Sequence, residues 1–488
     1  MISKSESARN IFGIFGILLI FVGGLILLPL LALPFYPEEL DQALYFVIPA
    51  AAAILIGFLL KLLRPRYDIK LNLRQGAAIV LGIWVSAALF SSLPFMLSGM
   101  LNFTQSYFEA MSGWTTTGLS VVDVTTAPHI FLLFRSIMQF FGGLGFVLIV
   151  VSALSETFGM RLYSAEGHSD KLLPNLAKSS RMIIAIYMGY FIAGTILYVI
   201  AGMPVFDAVN ICMAALSTGG FAVTPDSIAA YHSFIIELIT IVLMILGATN
   251  FLIHLLLIRR KFRKIINLSE LKFMLFLLGV SIPLVAVVSL KDLYGNFGEA
   301  LRVSLFNITS ALTTTGFQTV SYSNWPAFAW LILIVMMIIG GGAGSTAGGI
   351  KYGRVYVMLK AFVWNMKRKF LPEHAVGNIS INRPEGKVYI EPEIYSEAAN
   401  YVFIYTIILL AGTGILSAYG YSFQDSLFEY ASALGTVGLS VGVTTPDMPA
   451  VALWSMTVGM LLGRLEIYVV FIGMIKIAKD IKIVIKRR

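Results

Sequence analysis

Four short stretches of this 488-residue chain end alike. Thr115-Thr116-Thr117-Gly118-Leu119, Ser217-Thr218-Gly219-Gly220-Phe221, Thr313-Thr314-Thr315-Gly316-Phe317 and Gly435-Thr436-Val437-Gly438-Leu439 align on a glycine. Ala215-Leu216, Ala311-Leu312 and Ala433-Leu434 fill the same offset in three of them, and Ser120-Val121 matches Ser440-Val441 beyond the glycine. A dehydrated cation in a low-dielectric slab needs a cage of oxygens, which rings of backbone carbonyls supply. Aiming successive carbonyls at one axis takes unusual dihedrals and close backbone approach, and glycine permits both. The expected oxygen donors are Thr116, Thr117 and Gly118; Thr218, Gly219 and Gly220; Thr314, Thr315 and Gly316; and Thr436, Val437 and Gly438. One such stretch reads equally well as a loop turn. Four at equal topology form an internal repeat, which is rarely accidental.

A second glycine-rich stretch, Gly340-Gly341-Gly342-Ala343-Gly344-Ser345-Thr346-Ala347-Gly348-Gly349-Ile350-Lys351, interrupts a long apolar run. Glycine costs about 1 kcal/mol of helix propensity per residue, so the helix is expected to unwind here. A helix-packing face would need small residues four apart, whereas this run has them nearly everywhere. It lacks Gly-Lys-Ser/Thr and no strand precedes it, so it is not a phosphate-binding loop. Arg464, in Leu462-Gly463-Arg464-Leu465-Glu466, sits in the middle of the last apolar run. An arginine at that depth costs at least about 2.5–3.5 kcal/mol and calls for a partner. It is too far from either end to snorkel, and on a helix Glu466 would face elsewhere. Carbonyls of the unwound loop are the expected acceptors. Arg135 and Gln139 precede Gly142-Gly143-Leu144-Gly145, whose glycines suggest close helix packing. Snorkelling to the outer surface accounts for Arg135 as well as a functional contact does. Asn250 and His254 lie late in the sixth apolar run, where a lone histidine reads as a satisfied packing residue.

These residues need a membrane-spanning frame, and the composition provides one. Apolar residues make up 58% of the chain and charged residues 12%, against about 25% charged in soluble domains. Runs long enough to cross a bilayer lie roughly at 11–33, 43–63, 77–98, 129–154, 181–202, 233–258, 271–290, 326–364, 398–418 and 450–477. The four glycine-ended stretches lie between runs, near 105–118, 206–220, 301–316 and 424–438. Each is too short to cross and suits a re-entrant helix. Lysine and arginine cluster after alternate spans: Lys61, Arg64, Arg66, Lys70 and Arg74; Arg161, Lys171, Lys178 and Arg181; Arg259 to Lys264; Lys360 and Lys367 to Lys369; and Lys482 to Arg488. By the positive-inside rule both termini are cytoplasmic. That scatter of short basic clusters, not a patch, carries the net charge of +9 and speaks against nucleic acid as a partner. The lone Cys212 excludes an internal disulfide framework. The apolar run after Met1 to Asn10 exceeds a signal-peptide core and reads as a retained helix.

The expected fold class is therefore an all-α integral membrane protein. Four pseudo-symmetric units, each a span, a re-entrant pore helix and a span, surround one pore, with two more transmembrane helices in front. The expected boundaries are 1–70 for the two extra helices, 71–160, 161–264 and 265–370 for the first three units, and 371–488 for the fourth. An alternating-access secondary transporter also uses repeats and broken helices, but its repeats are commonly inverted, and these share one polarity. No carboxylate pair within spans, His/Cys cluster or activated nucleophile speaks for an enzyme.

Taken together, the four filter-like segments, Arg135-Ser136 with Gln139 and Gly142-Gly143-Leu144-Gly145, the run Gly340 to Lys351, and Gly463-Arg464-Leu465-Glu466-Ile467 resemble the Trk/Ktr/HKT superfamily of cation transporters. The two extra N-terminal spans resemble the TrkH-type subunits rather than the shorter Ktr type. The resemblance implies potassium uptake across the cell membrane, with K⁺ as the transported ion and no bound organic cofactor. It implies a homodimer in lipid with one pore per protomer, gated by a cytoplasmic nucleotide-binding regulatory subunit. Gly340, Gly341, Gly342, Gly344, Ser345, Gly348, Gly349 and Lys351 then correspond to an intramembrane gate, and Arg464 to the arginine that contacts it. Glycine in all four filter segments goes with K⁺ selectivity, whereas serine at the first admits Na⁺. Gly219, Gly435 and Val437 depart from the Thr-Thr-Thr-Gly pattern, so the oxygen rings are not expected to be chemically identical.

Overall fold

The computed structural model describes residues 4–65, 71–145, 176–372, 379–384 and 386–485. The end of the fourth expected span (146–154) and the orienting charges Arg66, Lys70, Arg161, Lys171, Lys486, Arg487 and Arg488 lie outside these residues, as does the Lys178 side chain. Helices α1 (Lys4–Leu27) and α2 (Ala43–Leu62) form an N-terminal hairpin. Their backbones meet at Gly16 and Gly57, where a methyl group on either would run into the other's carbonyl. Small residues give helices in lipid this kind of close approach. On the connection, Glu39 accepts hydrogen bonds from the backbone N–H groups of His129 (2.8 Å) and Ile130 (2.9 Å), with His129 Nδ1 at 2.9 Å. Tyr36 stacks on the His129 ring at 3.9 Å. The hairpin thereby caps the first turn of a helix in the body of the protein, where a carboxylate also meets the positive end of the helix dipole.

Four units follow. In the first, α3 (Leu73–Leu97) leads to the short α4 (Phe103–Trp114) and then to α5 (His129–Leu144). The second runs α6 (Leu176–Ile200), α7 (Val205–Leu216), α8 (Phe234–Gly247) and α9 (Phe251–Ile258). After the small α10 (Phe262–Ile266), the third runs α11 (Ser269–Tyr294), α12 (Phe297–Leu312), α13 (Ala327–Ile339) and α14 (Tyr352–Arg368). The fourth comprises α15 (Pro392–Ala418), α16 (Phe423–Leu434), α17 (Ala450–Arg464) and α18 (Ile467–Ile485). A helix rises about 1.5 Å per residue. The 12 residues of α4, α7 and α16 therefore cover about 18 Å of a core about 30 Å thick. The later turns of these helices and of α12 are deeply buried: Ser106 to Trp114, Asn210 to Leu216, Phe306 to Leu312 and Phe428 to Leu434 are buried without a break. Leucine, isoleucine and phenylalanine instead stand exposed on the outer helices, as on Phe403 of α15, the inverse of a water-soluble protein.

Among the described residues, six helices are long and apolar enough to cross a membrane. Two of the expected spans, the sixth and tenth, are not continuous: α8 and α9 bend by 109°, and α17 and α18 by 106°. The sixth breaks at Ala248-Thr249-Asn250, where the Asn250 side chain accepts from Leu252 N–H at 2.8 Å and restarts the helix. The tenth breaks at Glu466, whose φ of +58° takes the backbone out of the right-handed helix. The eighth is cut between α13 and α14. A two-stranded antiparallel ribbon, Ser380–Arg383 against Gly386–Tyr389 with Ser380 opposite Tyr389, adds a small β element that the expected all-helical chain did not include.

Candidate ion-conduction site

Each re-entrant helix hands the chain to a strained turn of one design. Thr116, Thr218, Thr314 and Thr436 have φ of +55°, +52°, +54° and +51°, and Gly118, Gly220, Gly316 and Gly438 have φ of +91°, +74°, +87° and +95°. Left-handed backbone in a β-branched residue costs of order 1–3 kcal/mol, and here it recurs four times. Thr117, Gly219, Thr315 and Val437 between them are not left-handed. This alternation of hand turns successive peptide planes so that their carbonyls can face one side.

The four turns close into a ring. A methyl group on Gly118 would overlap the Gly219 carbonyl oxygen, one on Gly220 that of Thr315, one on Gly316 that of Val437, and one on Gly438 that of Thr117. Each unit thus lays a carbonyl against the glycine of its neighbour, and the circuit returns to its start. Above the ring is a polar vestibule of about 320 Å³, bordered by Ser120, Asp123, Gln318 and Ser440.

On the opposite side of the ring, the run Gly340 to Lys351 is unwound, and Gly340, Gly344, Gly349 and Lys351 have left-handed backbone. Ile350 and Lys351 N–H donate back to Ile338 and Ile339 O (3.0 and 2.9 Å), so the chain doubles over on itself. The break in the sixth span receives it: Gly342 N–H donates to Ala248 O (3.0 Å), Thr346 Oγ1 to Gly247 O (2.9 Å), and Asn250 Nδ2 to Ala343 O (2.7 Å). The loop also reaches the ring. Gly348 N–H donates to Thr314 Oγ1 (2.8 Å), Thr346 Oγ1 lies 3.0 Å from Thr218 Oγ1, and Gly348 packs directly against Thr436 and Gly435. Ser345 Oγ donates to Gly342 O within the loop, and Lys351 Nζ to Ala347 O. Arg464 donates to Thr346 O and, through Nη2, to Gly142 O (2.7 Å) and Gly143 O (2.9 Å). One guanidinium therefore joins the loop to the end of α5. Glu466 pairs with Arg354 of α14 at 2.7 Å.

A family model described as TrkH, cation transport protein, matches residues 44–483. The chain belongs to the TrkH family of cation transport proteins. It is 32% identical over 421 residues to the Trk system potassium uptake protein TrkG of Escherichia coli, covering 83% of this chain and 85% of that one. It is 30% identical over 471 residues to an uncharacterised cation transporter of Methanocaldococcus jannaschii, covering 96% and 95%. The crystal structure of the potassium transporter TrkH from Vibrio parahaemolyticus superposes with a TM-score of 0.84 at 27% identity, over 95% of this chain and 98% of that one.

How this TrkH-family chain holds its four strained turns was only partly readable beforehand. Arg135 does not snorkel. It is buried, and donates to Glu109 (2.7 Å), to Ser120 Oγ (2.9 Å) and to Ala222 O (3.1 Å), with the Phe221 ring 4.0 Å from its guanidinium carbon. It therefore ties the first turn to the second. Glu109 also accepts from Ser120 Oγ and Val121 N–H, both at 2.9 Å. Glu429 does the same in the fourth unit, accepting from Ser440 Oγ (2.7 Å), Val441 N–H (3.2 Å) and Thr444 N–H (2.9 Å). Asn307 takes the equivalent place in the third, with Tyr322 and Thr319 as partners. Glu109, Asn307 and Glu429 stand at one offset before their glycines, and aligning the repeats further upstream would have shown them.

The second unit has Ile211 at that offset and takes its brace from outside. Gln139 Nε2 donates to Gly219 O (2.6 Å) and its Oε1 accepts from Phe221 N–H (3.0 Å). A methyl group on Gly219 would overlap this amide, which explains a glycine where units one and three have threonine. In those units the threonine hydroxyls pair, Thr115 with Thr117 (2.7 Å) and Thr313 with Thr315 (2.8 Å). In the fourth unit both partners change together, to Gly435 and Val437. Glu109→Gln is expected to cost about 3–5 kcal/mol, the usual result of leaving one buried charge uncompensated. Thermal unfolding in detergent measures it, and an unchanged midpoint would remove the pair from the frame.

Proposed function

We propose that this chain takes up potassium across the cell membrane by passing dehydrated K⁺ through the ring of carbonyls, with the loop beneath it as the gate. The closed circuit of carbonyl against glycine, from Gly118 through Gly220 and Gly316 to Gly438, carries the reading. Carbonyl rings of this kind stand in for an ion's hydration shell. The ion-coordinating residues are Thr116 to Gly118, Thr218 to Gly220, Thr314 to Gly316 and Thr436 to Gly438. Thr436 Oγ1, buried between ring and loop without a hydrogen-bond partner among the described residues, fits a site that a cation completes. The gate comprises Gly340, Gly341, Gly342, Gly344, Ser345, Gly348, Gly349 and Lys351, held by Arg464. Relatives named as potassium uptake proteins of Trk systems support K⁺ as the cargo. Both termini are cytoplasmic, the protein is a homodimer, and the loop responds to a cytoplasmic nucleotide-binding regulatory subunit.

Flux of K⁺, Rb⁺ and Na⁺ into proteoliposomes of the purified protein tests the reading. Rapid K⁺ and Rb⁺ entry with little Na⁺ entry is expected, and equal rates for all three would remove the ring as a selective site. Shortening Gly341 to Gly348 is expected to raise flux severalfold while selectivity holds, since a gate below a filter controls passage and not identity. A folded deletion variant with lower flux would make the run a packing element instead.

A further inference from the structure

Beside the helix that leaves the loop lies a groove that plays no part in the reading above. Helices α11 and α14 form its walls and the start of the β-ribbon borders it, leaving an open groove of about 590 Å³. Among the described residues, Lys272, Lys360 and Lys367 line it, and no aspartate or glutamate does. Lys360 is fixed in place: its Nζ donates to Ser380 O at 2.8 Å and lies 5.2 Å from the centre of the Tyr356 ring. Lys272 and Lys367 are exposed. The lining continues as Phe276 and Val363, both large apolar side chains left open on the outer surface. Tyr356 and Trp364 also line it, and such aromatic residues are enriched at the level of lipid headgroups.

Cationic head and apolar strip together select an amphiphile. A free phosphate would use only the lysines, and a water-soluble protein would leave Phe276 and Val363 unmatched. Basic pockets between transmembrane helices on the cytoplasmic side suit acidic headgroups. We propose that this groove seats an anionic phospholipid of the cytoplasmic leaflet, its phosphate against Lys272 and Lys367 and its chains along Phe276 and Val363. The leaflet rests on the orientation proposed above; the groove and its charge do not. The lipid stands on α14, the helix that continues directly from Lys351.

Trp364 is a built-in reporter. The protein and its Trp364→Phe variant are placed in nanodiscs of one composition in both leaflets, so that orientation plays no part. Their fluorescence difference is followed with brominated phosphatidylglycerol or brominated phosphatidylcholine at equal mole fraction. Each lysine near an acidic headgroup adds about fivefold in affinity. Quenching by phosphatidylglycerol is therefore expected to be much the stronger, with Lys272→Gln/Lys367→Gln cutting the preference roughly 25-fold. Lys261→Gln/Arg263→Gln, which removes exposed charge outside the groove, is expected to leave it unchanged. Equal quenching of the unaltered protein by both lipids overturns the proposal. So does a preference that survives the groove variant, or one that falls equally with the outlying pair.

Discussion

Gly316→Ser is expected to lower discrimination of K⁺ over Na⁺ by at least about tenfold, which needs only about 1.4 kcal/mol between the two ions. Two effects act together. The φ of +87° disfavours any side chain at this position, and a Cβ would overlap the Val437 carbonyl oxygen. That oxygen belongs to the neighbouring unit, so the ring must open or the carbonyl must turn away. A wider cage binds K⁺ less well and loses its advantage over Na⁺. Gly99→Ser is the control, because its φ of +74° is equally left-handed but no atom of the described residues lies within 4 Å of its missing side chain. Competition of Na⁺ against Rb⁺ uptake reads both variants. Unchanged selectivity in a folded Gly316→Ser protein would place the cation site elsewhere.

Arg464→Ala should open the pathway. Its hydrogen bonds to Thr346 O, Gly142 O and Gly143 O hold the loop against the end of α5. A hydrogen bond to a charged group contributes about 1.5–3 kcal/mol, so releasing the loop contact should raise the open-to-closed ratio roughly ten- to hundredfold. The change also removes a positive charge beside the ion path, which pushes flux the same way. Arg464→Lys should fall between, since an ammonium keeps the charge but cannot serve three carbonyls with a planar fork. Single-turnover Rb⁺ uptake over several K⁺ concentrations measures the series. An alanine variant that folds and conducts like the parent would detach Arg464 from the gate.

The repeats and the loop were legible because they depend on local chemistry. Six glycines between Gly340 and Gly349 cannot sustain a helix, and four threonine–glycine turns announce unusual backbone wherever they occur. The helix breaks at Asn250 and Glu466 were not legible. Neither has proline, and each is held open by tertiary contacts: Asn250 by Ala343, and Glu466 by Arg354. Arg135 remained ambiguous for a similar reason. Its depth along a span was readable, but its partner, Glu109, lies on another helix that only the fold brings near. Gly219 was visible as a departure from the pattern, yet its cause, the Gln139 amide, comes from a different unit.

That last substitution has a wider consequence. A ring assembled from four identical subunits makes every change four times over, so each position must suit all four walls. Here the four walls are one polypeptide and can diverge singly: an amide crutch supports the second, hydroxyl pairs stiffen the first and third, and the fourth has given up its pair for Gly435 and Val437. Asymmetry also lets the third unit donate the loop from Gly340 to Lys351, which leans on the second and fourth units at Thr218 and Thr436. Division of labour among walls is what covalent linkage permits, and any one of the four can be altered experimentally while three stay as internal references.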